Sequence, residues 1–436
     1  MRELPTGWAE TTLGEMVRWG SGGTPRKNVG RYYNGSIPWA IIGDLNDGLV
    51  TTTASTITDE GLAESSARLV PPGTVLIAMY GSIGKLGIAG IEMATNQAIG
   101  FADPRQSLDS RFLFWYLRAE RRNLAYAGKG ATQKNISQTV LRSWLLPLPP
   151  LNEQRRMVAA IEEQLSRLDA ADASLAAALR RLDGLRGLAA ADAMDGSWPM
   201  TSLGEIAEIV GGVTKDAKRQ NDPAFVEVPY LRVANVQRGY LDLREVTTIR
   251  VPPAKAAALA LQPGDVLFNE GGDRDKLGRG WVWSGEIEGC IHQNHVFRAR
   301  LREGFEPKFV SWHGNTFGKD WFERHGRQTT NLASLNLTTL KSFPVPSPPL
   351  AEQRRIVAEV EERVSVIDAM RASIERAQRR SAALRRSILE RAFRGELVPQ
   401  DPSDEPASVL LDRIRAERAA AEPTRRRPSR MGQSAT

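Results

Sequence analysis

Pro149-Pro150-Leu151-Asn152-Glu153-Gln154-Arg155-Arg156-Met157-Val158-Ala159 returns 199 residues later as Pro348-Pro349-Leu350-Ala351-Glu352-Gln353-Arg354-Arg355-Ile356-Val357-Ala358. In both places the paired prolines push the preceding residue out of helical dihedrals, so a helix should start there. Apolar residues then recur at heptad spacing. They are Ile161, Leu165, Leu168, Leu175, Leu179 and Leu182 in the first copy, and Val360, Ile367, Met370, Ile374, Ala377, Leu384 and Ile388 in the second. Shifting by 199 carries Ile161 onto Val360, Leu168 onto Ile367 and Leu175 onto Ile374, so the two helices share one register. Such a seam, flanked by charges, predicts that they pair, and an antiparallel pair would carry one globular module at each end.

Working outward, the repeat extends upstream of the helices. Trp8 followed by Thr12-Leu13-Gly14-Glu15 is echoed by Trp198 followed by Ser202-Leu203-Gly204-Glu205. Ile37-Pro38-Trp39 matches Val228-Pro229-Tyr230, and Pro72-Gly73-Thr74-Val75-Leu76-Ile77 matches Pro263-Gly264-Asp265-Val266-Leu267-Phe268. Internal similarity of this kind indicates one fold used twice. Each copy opens with a β-rich segment whose short apolar runs are bounded by Pro-Gly turns, while residues 111–125 carry a helical pattern. Glycine-rich loops interrupt the runs at Tyr80-Gly81-Ser82-Ile83-Gly84-Lys85 and Gly271-Gly272-Asp273-Arg274-Asp275-Lys276. The expected fold class is α+β: two mixed α/β modules with irregular β-sheets, separated by two long helices pairing as an antiparallel coiled coil. The expected boundaries are 1–148 and 197–347 for the modules, 149–196 and 348–397 for the helices, and 398–436 for a C-terminal segment ending in a disordered basic tail from about Ala419.

Composition narrows the chemistry. At 436 residues the chain is long enough for two or more domains, and 41% hydrophobic with 25% charged residues suits a globular protein. The single cysteine, Cys290, excludes an internal disulfide framework, and neither a long apolar run nor an N-terminal apolar leader stands out, so a cytoplasmic location is expected. A formal net charge of +7 favours polyanionic partners without proving one.

Enzymatic readings fail on the residues. Neither Pro-Pro-Leu block has the Asn/Asp-Pro-Pro-aromatic form of an adenine methyltransferase, and no glycine-rich turn opens a Rossmann unit. Gly81-Ser82-Ile83-Gly84-Lys85-Leu86 lacks the spacing and the hydroxyl residue of a phosphate loop. Cys290-Ile291-His292-Gln293-Asn294-His295 clusters metal-ligating types. A complete zinc site would need ligands from elsewhere, and a buried, hydrogen-bonded His292 is the simpler reading. If this segment is a strand, His292 and Asn294 share one face.

Nucleic-acid contacts are the stronger expectation. The glycine-rich loops should present Tyr80, Ser82 and Lys85 in one copy and Arg274, Lys276 and Arg279 in the other, on turns where small residues permit close backbone approach. Gln133, Lys134 and Asn135 occupy a place before the first helix equivalent to that of Arg327, Gln328, Thr329 and Asn331 before the second. Arg and Lys suit guanine edges or phosphates, and Asn and Gln suit adenine, although polar stretches of this kind are also ordinary solvated loops.

With the Pro-Pro-Leu-x-Glu-Gln-Arg-Arg blocks, the Leu-Gly-Glu openings and the distal Ser387-Ile388-Leu389-Glu390-Arg391-Ala392-Phe393-Arg394-Gly395-Glu396-Leu397-Val398-Pro399 in hand, the chain resembles the specificity (S) subunit of type I restriction-modification enzymes over essentially its whole length. The resemblance implies that each module is a target recognition domain reading half of a bipartite DNA site. It implies helices that set the half-site separation and dock two modification (M) subunits, with restriction (R) subunits added. S-adenosylmethionine would enter through the M subunits, ATP and magnesium through the R subunits, and no catalytic group or directly bound cofactor would lie in this chain. Forty helical residues at 1.5 Å rise would span roughly 60 Å, against about 34–36 Å for a DNA turn. The alternatives left open are a non-catalytic coiled-coil scaffold that binds DNA nonspecifically, and an enzyme with unusual motifs.

Overall fold

The Leu-Gly-Glu openings show how the sequence dictates local structure. Thr12 caps a single helical turn by accepting from the Glu15 amide at 3.3 Å, and Ser202 does the same within a capping box closed by Glu205. The leucine between them is buried in both copies, its amide donating to Trp144 O at 2.9 Å and to Phe343 O at 2.8 Å. A Cβ on Gly14 would lie 2.8 Å from Arg142 O, so glycine is required by the close backbone approach. The same four residues thus pin the start of each module to the strand that ends it.

The computed structural model describes residues 4–104, 108–128, 135–217, 220–272, 277–325, 327–328 and 333–421. The chain forms two units, Met1–Ala173 with Gln378–Thr436, and Ser174–Ala377. Unit 1 contains β1 (Ala9–Thr12), α1 (Leu13–Met16), β2 (Val17–Ser21), β3 (Tyr33–Ala40), β4 (Leu49–Val50), β5 (Thr56–Ile57), α2 (Asp59–Ala63), β6 (Leu69–Val70), β7 (Val75–Ala78), β8 (Leu86–Ala89), β9 (Met93–Thr95), β10 (Ile99–Pro104), α3 (Ser110–Ala119), α4 (Arg121–Ala127), α5 (Gln138–Ser143) and β11 (Leu145–Leu148). The long α6 (Leu151–Ala193) follows. Unit 2 contains β12 (Met200–Ser202), α7 (Leu203–Ile206), β13 (Ala207–Gly211), β14 (Val226–Leu231), β15 (Val236–Gln237), β16 (Tyr240–Leu241), β17 (Thr247–Val251), α8 (Pro253–Leu259), β18 (Val266–Asn269), β19 (Gly271–Gly272), β20 (Gly280–Val282), β21 (Ile291–His292), β22 (Val296–Leu301), α9 (Pro307–His325), β23 (Arg327–Gln328), β24 (Ala333–Ser334), α10 (Leu337–Lys341) and β25 (Pro344–Pro346). The second long helix, α11 (Leu350–Ala392), and α12 (Ala407–Ala421) close the chain.

The sheets repeat with the sequence. β1 pairs with β11 and β12 with β25, which zips each module shut just before its Pro-Pro block. The order β2-β10-β7-β8-β4 in unit 1 corresponds to β13-β22-β18-β20 in unit 2. A second sheet crosses each unit through a parallel pair, Trp39 opposite Ala94 and Tyr230 opposite Ile291. This is the mixed α/β architecture with irregular sheets that the sequence led us to expect.

Both Pro-Pro blocks start helices, and their glutamine explains why. Gln154 donates to Pro149 O at 3.0 Å and accepts from the amide of Asp109, the cap of α3, at 3.0 Å. Gln353 donates to Pro348 O at 2.9 Å and accepts from the Glu306 amide, just before α9, at 2.8 Å. Each buried amide satisfies a helix-start carbonyl and a second helix's free N–H, groups whose burial unpaired would cost about 1–3 kcal/mol.

Within each unit a stretch of α6 runs antiparallel to a stretch of α11. In unit 1 Arg385 meets Asp169 at 2.7 Å and Asp172 at 2.8 Å. In unit 2 Arg186 meets Asp368 at 3.1 Å, and Arg363 meets Asp192 at 2.5 Å. Asp169–Arg385 maps onto Asp368–Arg186 under the same 199-residue shift, so the pairing itself is repeated.

The structure corrects one expectation about the helices. Ile161, Leu165, Leu182, Val360, Ile367 and Ile388 are buried as the seam requires, but Met370 and Leu384 are 51% and 46% exposed. Two helices bury one narrow stripe each, and these residues fall on its open flank. The stripe itself includes Ser381, 6% exposed, whose hydroxyl donates to Asp172 at 3.0 Å. A polar layer therefore interrupts the seam. In the C-terminal segment, α12 extends to Ala421, and Leu410, Leu411 and Ile414 are buried in the unit 1 core. Arg425, Arg426 and Arg427 lie outside the described residues.

Candidate nucleic-acid interface

In unit 1 the glycine-rich loop follows β7, where four consecutive buried residues leave no freedom in the strand's placement. Gly81 and Gly84 then take φ of +64° and +79°, a region that L side chains rarely adopt, and the chain reverses into β8. Tyr80, 41% exposed, bridges to Asn135, and the Ile136 amide donates to Met79 O at 2.9 Å. In unit 2, β19 pairs with β24, which pairs with β23, and the Leu335 amide donates to Glu270 O at 2.6 Å. In both copies, then, the glycine-rich loop lies against the polar segment that precedes the long helix. The paired residues are 55 positions apart in unit 1 (Tyr80 and Asn135) and 63 in unit 2 (Gly271 and Ser334), and only the fold brings them together.

Individual residues depart from the expectation. Tyr80, Ser82 and Asn135 stand open to solvent. Lys85 does not: its ammonium is turned inward and donates to Ile42 O at 3.1 Å and Gly43 O at 3.4 Å, because the neighbouring turn presents two carbonyls that need donors. Arg279 is half-buried and donates to Gln237 Oε1 at 3.2 Å. Arg327 and Gln328 form β23, described here by their backbone pairing. Gln133, Lys134, Arg274, Lys276, Thr329 and Asn331 lie outside the described residues.

Sequence reasoning passed over the groups that hold these loops. Arg121 donates to Gly84 O at 2.7 Å and grips Asp47 with both terminal nitrogens, one at 2.9 Å. Arg118 donates to Asp47 O at 3.3 Å and lies over the Trp115 ring. Burial works against the Asp47 carboxylate, yet hydrogen bonds from Arg121 and the Leu86 amide hold its pKa below the ordinary range. In unit 2 the equivalent helix uses an amide. Asn315 accepts from Gly280 N at 3.1 Å and donates to Gly280 O at 2.7 Å, which fixes the exit of the loop. A lone Asp or Asn in a sequence carries no signal for such a role.

The Cys290–His295 segment is structural where it is buried. His292 is fully buried in β21 and donates from Nδ1 to Val296 O at 2.6 Å; burial lowers its pKa to about 4, so the ring is neutral. Burial likewise pushes the Cys290 thiol up to about 12. The strand ends at His292, and Asn294 and His295 occupy the following turn, so the face shared by His292 and Asn294 does not exist. His295 Nδ1 instead meets Glu270 at 2.6 Å.

A family model described as the type I restriction modification DNA specificity domain matches residues 5–175. The specificity subunit of the StySPI type I restriction enzyme of Salmonella potsdam is 24% identical over 454 residues, covering 96% of this chain and 97% of that subunit. The EcoKI specificity subunit of Escherichia coli K12 is 23% identical over 450 residues, with coverage of 96% and 97%. Residues 5–175 thus match the type I specificity domain, and nearly the whole chain is similar to specificity subunits of type I restriction enzymes. A chain solved in a study of complex assembly and conformational transition of the type I R-M system superposes with a TM-score of 0.74 at 20% identity, over 91% of this chain and all of that one. It establishes the shared fold. Recognition of a DNA sequence is the role that the name of this domain carries. No helix among the described residues is long and apolar enough to cross a membrane.

Proposed function

We propose that this specificity subunit reads a two-part DNA target, one half with each unit, and directs adenine methylation and restriction by subunits that dock on it. The single observation that carries this reading is the repeat in the structure: the same scaffold twice, with different side chains on matching loops. A shared scaffold with different contact residues suits an asymmetric site, since phosphates position a reader and base edges specify its target. Tyr80, Ser82, Asn135 and Arg279 are the described residues we assign to this surface. Two M subunits would bind the repeated helices and bring S-adenosylmethionine, and R subunits would bring ATP and magnesium. The chain itself would supply no catalytic group and would act where duplex DNA lies, in the cytoplasm.

Co-expression with its M partner in a host lacking adenine methylation, followed by single-molecule sequencing, tests the proposal. The expected result is methylated adenine in one bipartite motif, absent when either gene is omitted. A continuous motif, or none, would refute it. Retention of labelled target duplex against excess random duplex separates this reading from a scaffold that binds DNA nonspecifically.

A further inference from the structure

Both units carry one more exposed element of common plan. It is the turn leaving β3 at residues 41–49 in unit 1, and the turn leaving β14 at residues 232–240 in unit 2, 191 positions on. The stems are closed alike. The Ile41 amide donates to Asp44 Oδ2 at 2.8 Å, and the Arg232 amide donates to Asn235 Oδ1 at 2.9 Å. Further on, each turn is tied to the helix behind it by the residue at one matching position. Asp47 takes Arg121 on its carboxylate and Arg118 on its carbonyl, whereas Arg238 donates to Asn315 O. Acid has been exchanged for base, and the mechanical result is the same.

These turns share a surface with the glycine-rich loops. Lys85 donates to the carbonyls of Ile42 and Gly43, and Leu86 N donates to Asp47 Oδ1 at 3.0 Å. In unit 2, Arg279 reaches Gln237 at 3.2 Å, and the Gly239 amide, at a φ of +81°, donates to Gly280 O at 3.3 Å. Beyond the tie, each turn presents a large apolar side chain to solvent: Leu49, 58% exposed, and Tyr240, 53% exposed. One exposed apolar residue needs no explanation. Two at the same position of a twice-built, clamped turn, with different side chains on a matching scaffold, do.

We propose that this turn is a second target-reading element in each unit, with Leu49 and Tyr240 the side chains that meet the bases; this rests on the function proposed above. A branched aliphatic group suits contact with a thymine methyl or wedging at a base step, and a flat phenol suits stacking on a base or hydrogen bonding to its edge. Different side chains at one position would then read different half-sites. The backbone ties keep the tip in place, so little ordering remains to be done on binding.

The test uses the full chain with its M subunits, comparing methylated motifs for wild type, Leu49→Ala, Tyr240→Ala and the surface control Leu69→Ala. We expect Leu49→Ala to relax one half of the motif and lower methylation at cognate sites about tenfold, the scale of one lost base contact, with the other half unchanged. Tyr240→Ala should do the reverse, and Leu69→Ala should match wild type. The retained half serves as the folding control in each variant. Motif and rate unchanged in both variants, or loss spread equally over both halves, would overturn the proposal. A wild-type motif that is not bipartite would refute the proposed function instead, and that result is read before either variant.

Discussion

Units 1 and 2 share their scaffold but differ in how the Pro-Pro block is covered. In unit 1 the C-terminal segment lies over it: Asp404 accepts from Arg156 at 2.7 Å and Asn152 at 3.2 Å, and the Ala407 amide donates to Gly7 O at 2.9 Å. Glu153 is buried there, takes the Trp8 indole N–H at 3.0 Å, and has its pKa raised by burial. In unit 2 the matching Glu352 pairs with Arg355 at 2.7 Å, which lowers its pKa, and the Trp198 indole N–H is buried without a partner. Glutamine keeps one role in both copies because it stitches structure inside the module. The glutamate beside it faces outward, so its role follows whatever lies over it.

The sharpest way to separate the units is acid. All four histidines are in unit 2, and burial lowers the pKa of both His292 and His313 to about 4. In the unfolded chain they would protonate near 6.5, so the unfolded state binds more protons between these values. Stability is therefore lost as pH falls from about 6.5 to 4, by about 3 kcal/mol for each histidine. Hydrogen exchange across that window should show unit 2 opening before unit 1. Equal loss of protection in both would break the contrast.

Removing the cover should weaken unit 1 alone. Leu411→Ala deletes a side chain 3% exposed in the unit 1 core and should cost about 2–4 kcal/mol. Exchange should rise in β7 and β10 but not in β18 and β22. A uniform rise would mean that the units do not unfold separately.

The smallest effect sharpens the comparison of the repeated ion pair. Arg186→Ala breaks a half-exposed contact and should change stability by no more than about 1 kcal/mol. Arg385→Ala should do more, because Arg385 holds both Asp169 and Asp172, and Asp172 also anchors the buried Ser381. Thermal midpoints of the two variants decide it, and equal midpoints would deny the polar layer a special role.

The features legible in the sequence were those made by neighbours in the chain. The Pro-Pro helix starts, the repeated Leu-Gly-Glu openings, the shared heptad register and the β-rich modules all rest on local backbone preference, periodicity and repetition. At the candidate site, Tyr80, Ser82 and Asn135 are exposed, whereas Lys85 is drawn inward by carbonyls more than 40 residues away, which no local pattern reveals. Asp47 and Asn315 were invisible for the same reason. α12 was not read from the sequence because Leu410, Leu411 and Ile414 lie in a short, charged segment and pack on a core built by residues remote in the chain.

By itself, the sequence determined that one fold is built twice, where each long helix begins, and that the two copies differ in their loops. Only the tertiary structure decided that the chain's end completes unit 1, that Asp172 and Ser381 interrupt the helix seam, and that two distant loops share one surface in each unit. Helix starts and caps depend on groups a few residues apart, whose geometry any chain with that sequence repeats. Burial, ion pairing and loop clamping depend on which remote groups arrive together, and that follows from packing.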